Sequence, residues 1–364
     1  MKKVLIIIGE INKAGIANAA LNFYRACTKY YKDEIRFDFV TTVEPNNELR
    51  KEFEENKTQY FLIKRIKCQG IIHYIHCLRN IIRNNGLYSA IHCHLGGVNW
   101  LACKAAEREQ IKNRVAHAHG SAGPNKIYDF IISKFFSKLN IKYSTIRYAC
   151  SDSAGKYVFG TRYEFLPNII EKSCLFNIKS DNTYHKGTYK KIVGYLGLFE
   201  GQKNAGYLVK IMKHADMQDI LCVAAGDGPY LKETQDMACR YGVHNIIFLG
   251  YRNDPIELLK TYDVLLMPSL SEGMSMSLLQ AQLIGTPCVV SKGVPDTNDL
   301  QLGLFTKVDD FNVENWVAAI NKSLNQEQNK DDYSINERYN RLKEIGYDAE
   351  TIADRLYKSY TLNN

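Results

Sequence analysis

The stretch Pro268-Ser-Leu-Ser-Glu-Gly-Met-Ser-Met-Ser-Leu-Leu-Gln-Ala-Gln-Leu-Ile-Gly-Thr-Pro287 decides the fold of this 364-residue chain. It follows the short apolar run Asp263–Met267, which reads as a buried strand. Behind the run come a polar turn and then Ser275–Ile284, an apolar segment long enough for a helix. A carboxylate, Glu272, therefore stands where a strand gives way to a helix, and in open α/β sheets ligands bind at the carboxyl ends of strands. Eight residues later stands an amide, Gln280.

The same strand–helix alternation extends in both directions. Upstream, Val4–Ile8, Phe37–Thr42, Gln59–Ile63, Ala90–His94, Arg114–His119 and Tyr148–Ser151 are predicted strands. Helical patterns at Gly15–Tyr30, Glu48–Asn56, Ile71–Asn84 and Asn99–Glu109 separate most of them. After a polar stretch, strands are predicted at Lys191–Gly197, Ile220–Ala225, Ile246–Leu249, Val264–Met267 and Cys288–Ser291. The helices between them are Ala205–Lys213, Tyr230–Tyr241, Asp254–Leu259 and Ser275–Ile284. Such alternation implies parallel sheets covered by helices on both faces. The expected architecture is α/β: two doubly wound, Rossmann-like domains facing across a cleft, 1–168 and 190–346, with 169–189 as linker. The polar run Asn325–Asn336 reads as a loop. A last helix, Asp348–Tyr360 within 347–364, is expected to cross back to the first domain.

Composition limits the function classes. No apolar run approaches the roughly 20 residues of a membrane-spanning helix. Met1–Ile8 leads into Gly9-Glu10 without a cleavage pattern and reads as a first strand rather than a signal peptide. The ten cysteines lack paired spacing and fit reduced cytoplasmic thiols. Cys68, His73, His76, Cys77, His92, Cys93 and His94 match no usual zinc spacing, so no metal is expected. The net charge of +8 is uneven: residues 1–167 carry 26 Lys+Arg against 14 Asp+Glu, and the rest carry 21 against 25. The basic first half suits an anionic membrane surface or an anionic acceptor. No nucleic-acid recognition motif is present.

At Ile11-Asn-Lys-Ala-Gly15, Ala90-Ile-His-Cys-His94, Arg114-Val-Ala-His-Ala-His119, Ala149-Cys-Ser-Asp152, Leu166-Pro-Asn168, Gly197-Leu-Phe-Glu-Gly-Gln-Lys-Asn204, Ala225-Gly-Asp-Gly-Pro229 and the Pro268–Pro287 stretch, the chain resembles family 4 glycosyltransferases of the GT-B fold. The type is that of bacterial capsular and exopolysaccharide biosynthesis. The resemblance covers essentially the whole chain. It implies a retaining glycosyltransferase that moves a hexose-type sugar from a nucleotide-diphosphate sugar to an acceptor glycan, lipid-linked and held at the cytoplasmic membrane face. It implies no cofactor.

The resemblance also assigns roles. Glu272, first carboxylate of the family's E-x7-E pair, would hold donor-sugar hydroxyls, and His119 would flank the reacting region. Gly273, Met274, Ser275 and Met276 would offer backbone N–H groups to the diphosphate at a helix N-terminus, and Lys203 would add a cation. Gly15 would let backbone approach the phosphates, and Tyr251 and Arg252 would lie by the base. Gln280 replaces the pair's second carboxylate, and Leu198 stands where the family has a phosphate-binding arginine. Asp296 reads either as a helix cap or as a carboxylate at the site's rim, and His117 as structural. Those two replacements motivate an alternative, a GT-B protein that binds sugar nucleotide, glycan or a partner enzyme and transfers weakly or not at all.

Overall fold

A computed structural model describes residues 1–12, 15–120, 127–170, 172–175, 189–325 and 334–362. The chain divides into two compact units: Met1–Ile169 joined by Gly346–Asn364, and Ile170–Ile345.

The first unit holds a seven-stranded parallel sheet. Its strands are β1 (Lys2–Ile8), β2 (Ile35–Thr41), β3 (Gln59–Leu62), β4 (Ala90–His94), β5 (Asn113–Ala118), β6 (Ile146–Ala149) and β7 (Glu164–Phe165), in the order β3-β2-β1-β4-β5-β6-β7. Order reverses between β1 and β4, which pair through Val4–Ala90 to Ile8–His94. β1, β4 and β5 are almost wholly buried, as strands of a doubly covered parallel sheet are; β1 is a continuous apolar run from Val4 to Ile8, whereas β4 and β5 bury histidines among their apolar residues. The helix Ile16–Tyr30 packs Ala20, Phe23, Tyr24 and Cys27 into this core. The C-terminal helix Ala349–Thr361 packs beside it, adding Ile352, Ala353, Leu356 and Tyr360. The final helix thus completes the first unit, although its sequence lies beyond the second.

The second unit repeats the plan with six parallel strands. They are β8 (Lys191–Leu196), β9 (Ile220–Ala225), β10 (Ile246–Gly250), β11 (Val264–Met267), β12 (Cys288–Ser291) and β13 (Phe305–Val308), in the order β10-β9-β8-β11-β12-β13. Here the reversal falls between β8 and β11, paired through Val264–Val193 and Leu265–Gly194. Gly194 is obligatory for packing: a Cβ there would lie 1.9 Å from the ring of the buried Tyr262.

Several elements differ from the sequence expectation. Helices Ile127–Tyr143, Asp152–Phe159 and Val313–Asn325, and strand β13, were not foreseen. The expected loop Asn325–Asn336 is corrected at both described ends. Asn325 closes a helix, and Ile335–Glu344 is a helix opened by a capping box between Ser334 and Glu337. Residues 326–333 of that loop lie outside the described residues, as do 171 and 176–188 of the expected linker. Lys172–Leu175 between them forms a turn of 3-10 helix.

Candidate active site

The reversal points of the two sheets carry different chemistry. In the second unit, the loop after β8 and the loop after β11 lie side by side. Leu270 N–H donates to the Gln202 carbonyl at 2.7 Å, and Asn204 Nδ2 donates to the Pro268 carbonyl at 3.2 Å. Asn204 adopts a left-handed conformation, φ 51°, which turns the chain from the short 3-10 segment Gly201–Lys203 toward the next helix. These tethers bring together two residues that are 69 positions apart. Lys203 Nζ donates to Glu272 Oε1 at 2.8 Å and to Oε2 at 2.6 Å. The carboxylate is 9% exposed and its ammonium partner part-buried. In that setting the charge-assisted bonds are stronger than in water, and removing one partner leaves the other costly.

The backbone around Glu272 is fixed from behind. Glu272 N–H donates to the Gly293 carbonyl at 3.0 Å, and Gly293 has no room for a side chain, its Cβ position lying 2.4 Å from the Ser269 and Leu270 carbonyl oxygens. Asn298, fully buried, clamps the turn: its Oδ1 accepts from Ser275 N–H at 2.7 Å and its Nδ2 donates to the Gly273 carbonyl at 2.9 Å. The helix then begins at Met276.

This arrangement corrects the expectation for Ser275. It occupies the N-cap position, but its side chain caps nothing and contacts Ser277 Oγ instead, while its N–H is taken by Asn298. The first-turn N–H groups that remain without an intrahelical partner begin at Met276. Met274 is buried, and Gln280 sits part-buried one turn into the helix.

The other anticipated residues are more dispersed. Leu198 is 40% exposed, on the loop that bears Lys203. Tyr251, just past β10, is 71% exposed, and Arg252 beside it forms a fork to Asp254, with Nε to Oδ1 at 2.7 Å. Asp296 is largely exposed and pairs with Lys307. It belongs to a short 3-10 turn, Asp296–Asn298, and caps no α-helix.

In the first unit, Gly15 starts the first helix with φ 77° and ψ −109°, a conformation that a side chain would strain, and nothing stands within 4 Å of its Cβ position. His119 follows β5 and is not alone: His94 Nδ1 lies 2.7 Å from its Nε2. His92, His94 and His117 share the same face, and burial depresses the basicity of all four, His119 to about 4 and His92 to about 3. Asn168, beside His119, acts in the opposite direction. The rings are therefore neutral at pH 7.

The sequence reading missed Asn298 and Asn204, buried or part-buried polar groups that hold the loops. It also missed the link from His94 to His119, although the alternating His-x-His pattern on both strands carried that signal.

Two doubly wound parallel sheets, each with a reversal of strand order, are the pattern of the GT-B fold. Solved structures agree. The Anabaena protein HepE in complex with UDP and glucose superposes with a TM-score of 0.78, covering 99% of each chain at 15% identity. A sucrose-phosphate synthase from Thermosynechococcus elongatus gives 0.75 over 100% of this chain and 99% of its own at 14% identity. Residues 178–347, which lie almost wholly in the second unit, match the family described as glycosyl transferases group 1. Over the whole of this chain and 97% of its own length, a Bacillus subtilis (strain 168) protein provisionally named glycosyltransferase EpsF is 27% identical. The Escherichia coli UDP-Gal:alpha-D-GlcNAc-diphosphoundecaprenol alpha-1,3-galactosyltransferase is 26% identical over 72% of this chain and 68% of its own. The chain is thus similar to glycosyltransferases along its whole length, and its fold is the one that the motifs implied.

Proposed function

We propose that this chain is a retaining family 4 glycosyltransferase that moves a hexose from a nucleoside-diphosphate sugar to a lipid-linked acceptor glycan in polysaccharide biosynthesis, of capsular or exopolysaccharide type. The observation that carries the reading is the Lys203–Glu272 pair at the β8/β11 reversal point, beside the N-terminus of helix Met276–Ile284. In the donor-free chain the two charges satisfy each other. A donor exchanges that contact for two others: Lys203 turns to the diphosphate, and Glu272 accepts from sugar hydroxyls. Negative charge building on the leaving diphosphate meets one cation and the helix N-terminal N–H groups. This arrangement asks for no metal in the transfer step. UDP is the first nucleotide to try, because HepE was solved with it. The matching test is release of nucleoside diphosphate with acceptor present. Wild type turns over, and equal rates for wild type and Glu272→Gln would reject the assignment.

The acceptor side is assigned to the first unit, with His119 next to the reacting carbon and Gly15 near the phosphates. Among the described residues no helix is long and apolar enough to cross a membrane. We assign the chain to the cytoplasmic membrane face as a peripheral protein, held by its basic first half. Such binding to anionic vesicles weakens as salt shortens the screening length from ~10 Å at 0.1 M. Salt-indifferent binding, or none, argues against it.

Leu198 favours a second reading. An exposed leucine stands where an arginine would grip phosphate bidentately, and Gln280 brings no charge to the diol. A chain so altered would bind a nucleoside diphosphate, seen as a rise in melting temperature, without releasing one from any donor.

A further inference from the structure

Four of the chain's nine histidines form one buried layer. His92 and His94 alternate along β4, and His117 and His119 along and just past β5, so all four project from one face of the sheet. Phe23 of the first helix lies over them, its ring centre 5.1 to 6.3 Å from each imidazole. A solitary buried histidine is unremarkable when its nitrogens are bonded. This layer leaves five imidazole nitrogens buried and without a hydrogen-bond partner: His92 Nε2, His94 Nε2, both nitrogens of His117, and His119 Nδ1. A backbone group of Leu166 influences His117 without reaching bonding geometry. An unpaired buried polar atom is destabilising, so their concentration in one place calls for something that satisfies them together.

The bonding pattern indicates what that is. His92 uses Nδ1 for the Tyr360 hydroxyl, at 2.7 Å, and His94 uses Nδ1 for His119, also at 2.7 Å. In both rings the opposite nitrogen, Nε2, is the orphan. A histidine whose one nitrogen is held by a neighbour while the other stays free is the usual state of a metal ligand, the neighbour fixing tautomer and ring orientation. His117 brings a third ring with both nitrogens uncommitted. One ligand nitrogen from each of His92, His94 and His117 lies within 4.8 Å of the other two. The rings are already neutral, as ligation requires.

We propose that His92, His94 and His117 form a binding site for a transition-metal dication of the zinc class. Imidazole nitrogens suit zinc, cobalt, nickel and copper, whereas magnesium and calcium prefer oxygen. Bond lengths of about 2.0–2.1 Å require the three nitrogens to draw together by rotation of the rings. The fourth position falls to water. Tyr360 and His119 then act as the outer partners, and the ion holds His119 in place through His94. The role is positional. His92 and His94 were among the residues whose spacing led to the expectation of no metal; His117, the third ligand, stands on the neighbouring strand and was read as structural.

The experiment is titration of the chelator-treated full chain with cobalt(II), followed by visible absorption. The expected result is one equivalent bound, with the intense bands of four-coordinate cobalt, displaced by zinc. His117→Phe, which keeps a stacked ring in place, abolishes the bands. The control variant His73→Ala/His76→Ala removes the exposed i, i+3 histidine pair on helix Ile71–Asn84 and leaves them unchanged. Bands lost in the control and kept in His117→Phe overturn the proposal, as does binding with no four-coordinate signature. Should His117→Phe fail to fold, zinc-edge X-ray absorption of the wild-type chain decides. Three nitrogens at about 2.0–2.1 Å support the site, and one or none refutes it.

Discussion

The histidine layer on β4 and β5 in the first unit lies one strand along from the β1/β4 reversal point, whereas the Lys203–Glu272 pair of the second unit lies at its β8/β11 reversal point, and the two regions solve burial in opposite ways. In the second unit, two full charges are kept and cancelled in a two-pronged Lys203–Glu272 pair. In the first, four titratable rings give up their charge, because burial without a counter-ion disfavours the protonated form. One region therefore holds an internal ion pair, and the other is a neutral layer sensitive to acid. The two sheets are wound alike, and side chains decide what each region does.

The largest effect expected from this contrast is on acid stability. In the metal-free chain, His92 and His119 have folded pKa values of about 3 and about 4, below the unfolded value of about 6.5. Between those limits the unfolded chain binds more protons, so stability is fully present above pH ~6.5 and falls as pH drops toward 4 and then 3. All four rings act in the same direction, against the ~5–15 kcal/mol that holds a domain. Urea unfolding of the chelator-treated chain at pH 7.5, 5.5 and 4.5 measures it. An unchanged midpoint would break the contrast.

Next in size is Glu272→Gln. It removes the carboxylate but retains the shape, and transfer is expected to fall by about 10²–10³, the scale of losing one preorganised electrostatic contact. A change of less than about threefold in nucleoside-diphosphate release would place the chemistry elsewhere. Asn298→Ala comes third. It strips partners from the Ser275 N–H and the Gly273 carbonyl, and should cost about 2 kcal/mol in denaturant unfolding while raising KM for the donor. Smallest is a gain: Leu198→Arg adds a second cation to the loop that carries Lys203 and should tighten UDP binding by about tenfold, roughly 1.4 kcal/mol. Calorimetry would read it, and no tightening would mean that position 198 does not face the phosphates.

Much of the fold was legible because buried parallel strands are near-continuous apolar runs. Val4–Ile8, Ala90–His94, Ile220–Ala225 and Val264–Met267 were found where they are. The elements missed had weak signals for physical reasons. Helix Ile335–Glu344 buries only Arg338 and Leu342, so almost no apolar periodicity marks it. Strand β13 lies at a sheet edge and is mostly half-buried. At the site, residue types and motif order located Glu272 and Lys203 singly. Their bond is a tertiary fact, set by backbone tethers such as Leu270 to Gln202 that leave no trace in composition. The histidine layer was half legible. Period-two spacing put His117 and His119 on one face, but the adjacency of β4 and β5 that adds His92 and His94 is a matter of strand order.

The C-terminal helix carries one more consequence, for how the chain emerges during synthesis. Tyr360 reaches His92 with its hydroxyl, and its carbonyl accepts from Asn113 Nδ2, contacts spanning 268 and 247 residues. The first unit thus waits for the last few turns of the polypeptide to seal its core. At roughly 5–20 residues per second, the ~190 residues between Ile169 and Tyr360 take roughly 10–40 s to appear. Within that interval the last described strand of the second unit is complete at residue 308, while the first unit still presents an uncovered apolar flank. A nascent chain of this design finishes its middle before its beginning, and the interval is when chaperones and proteases have their chance at it.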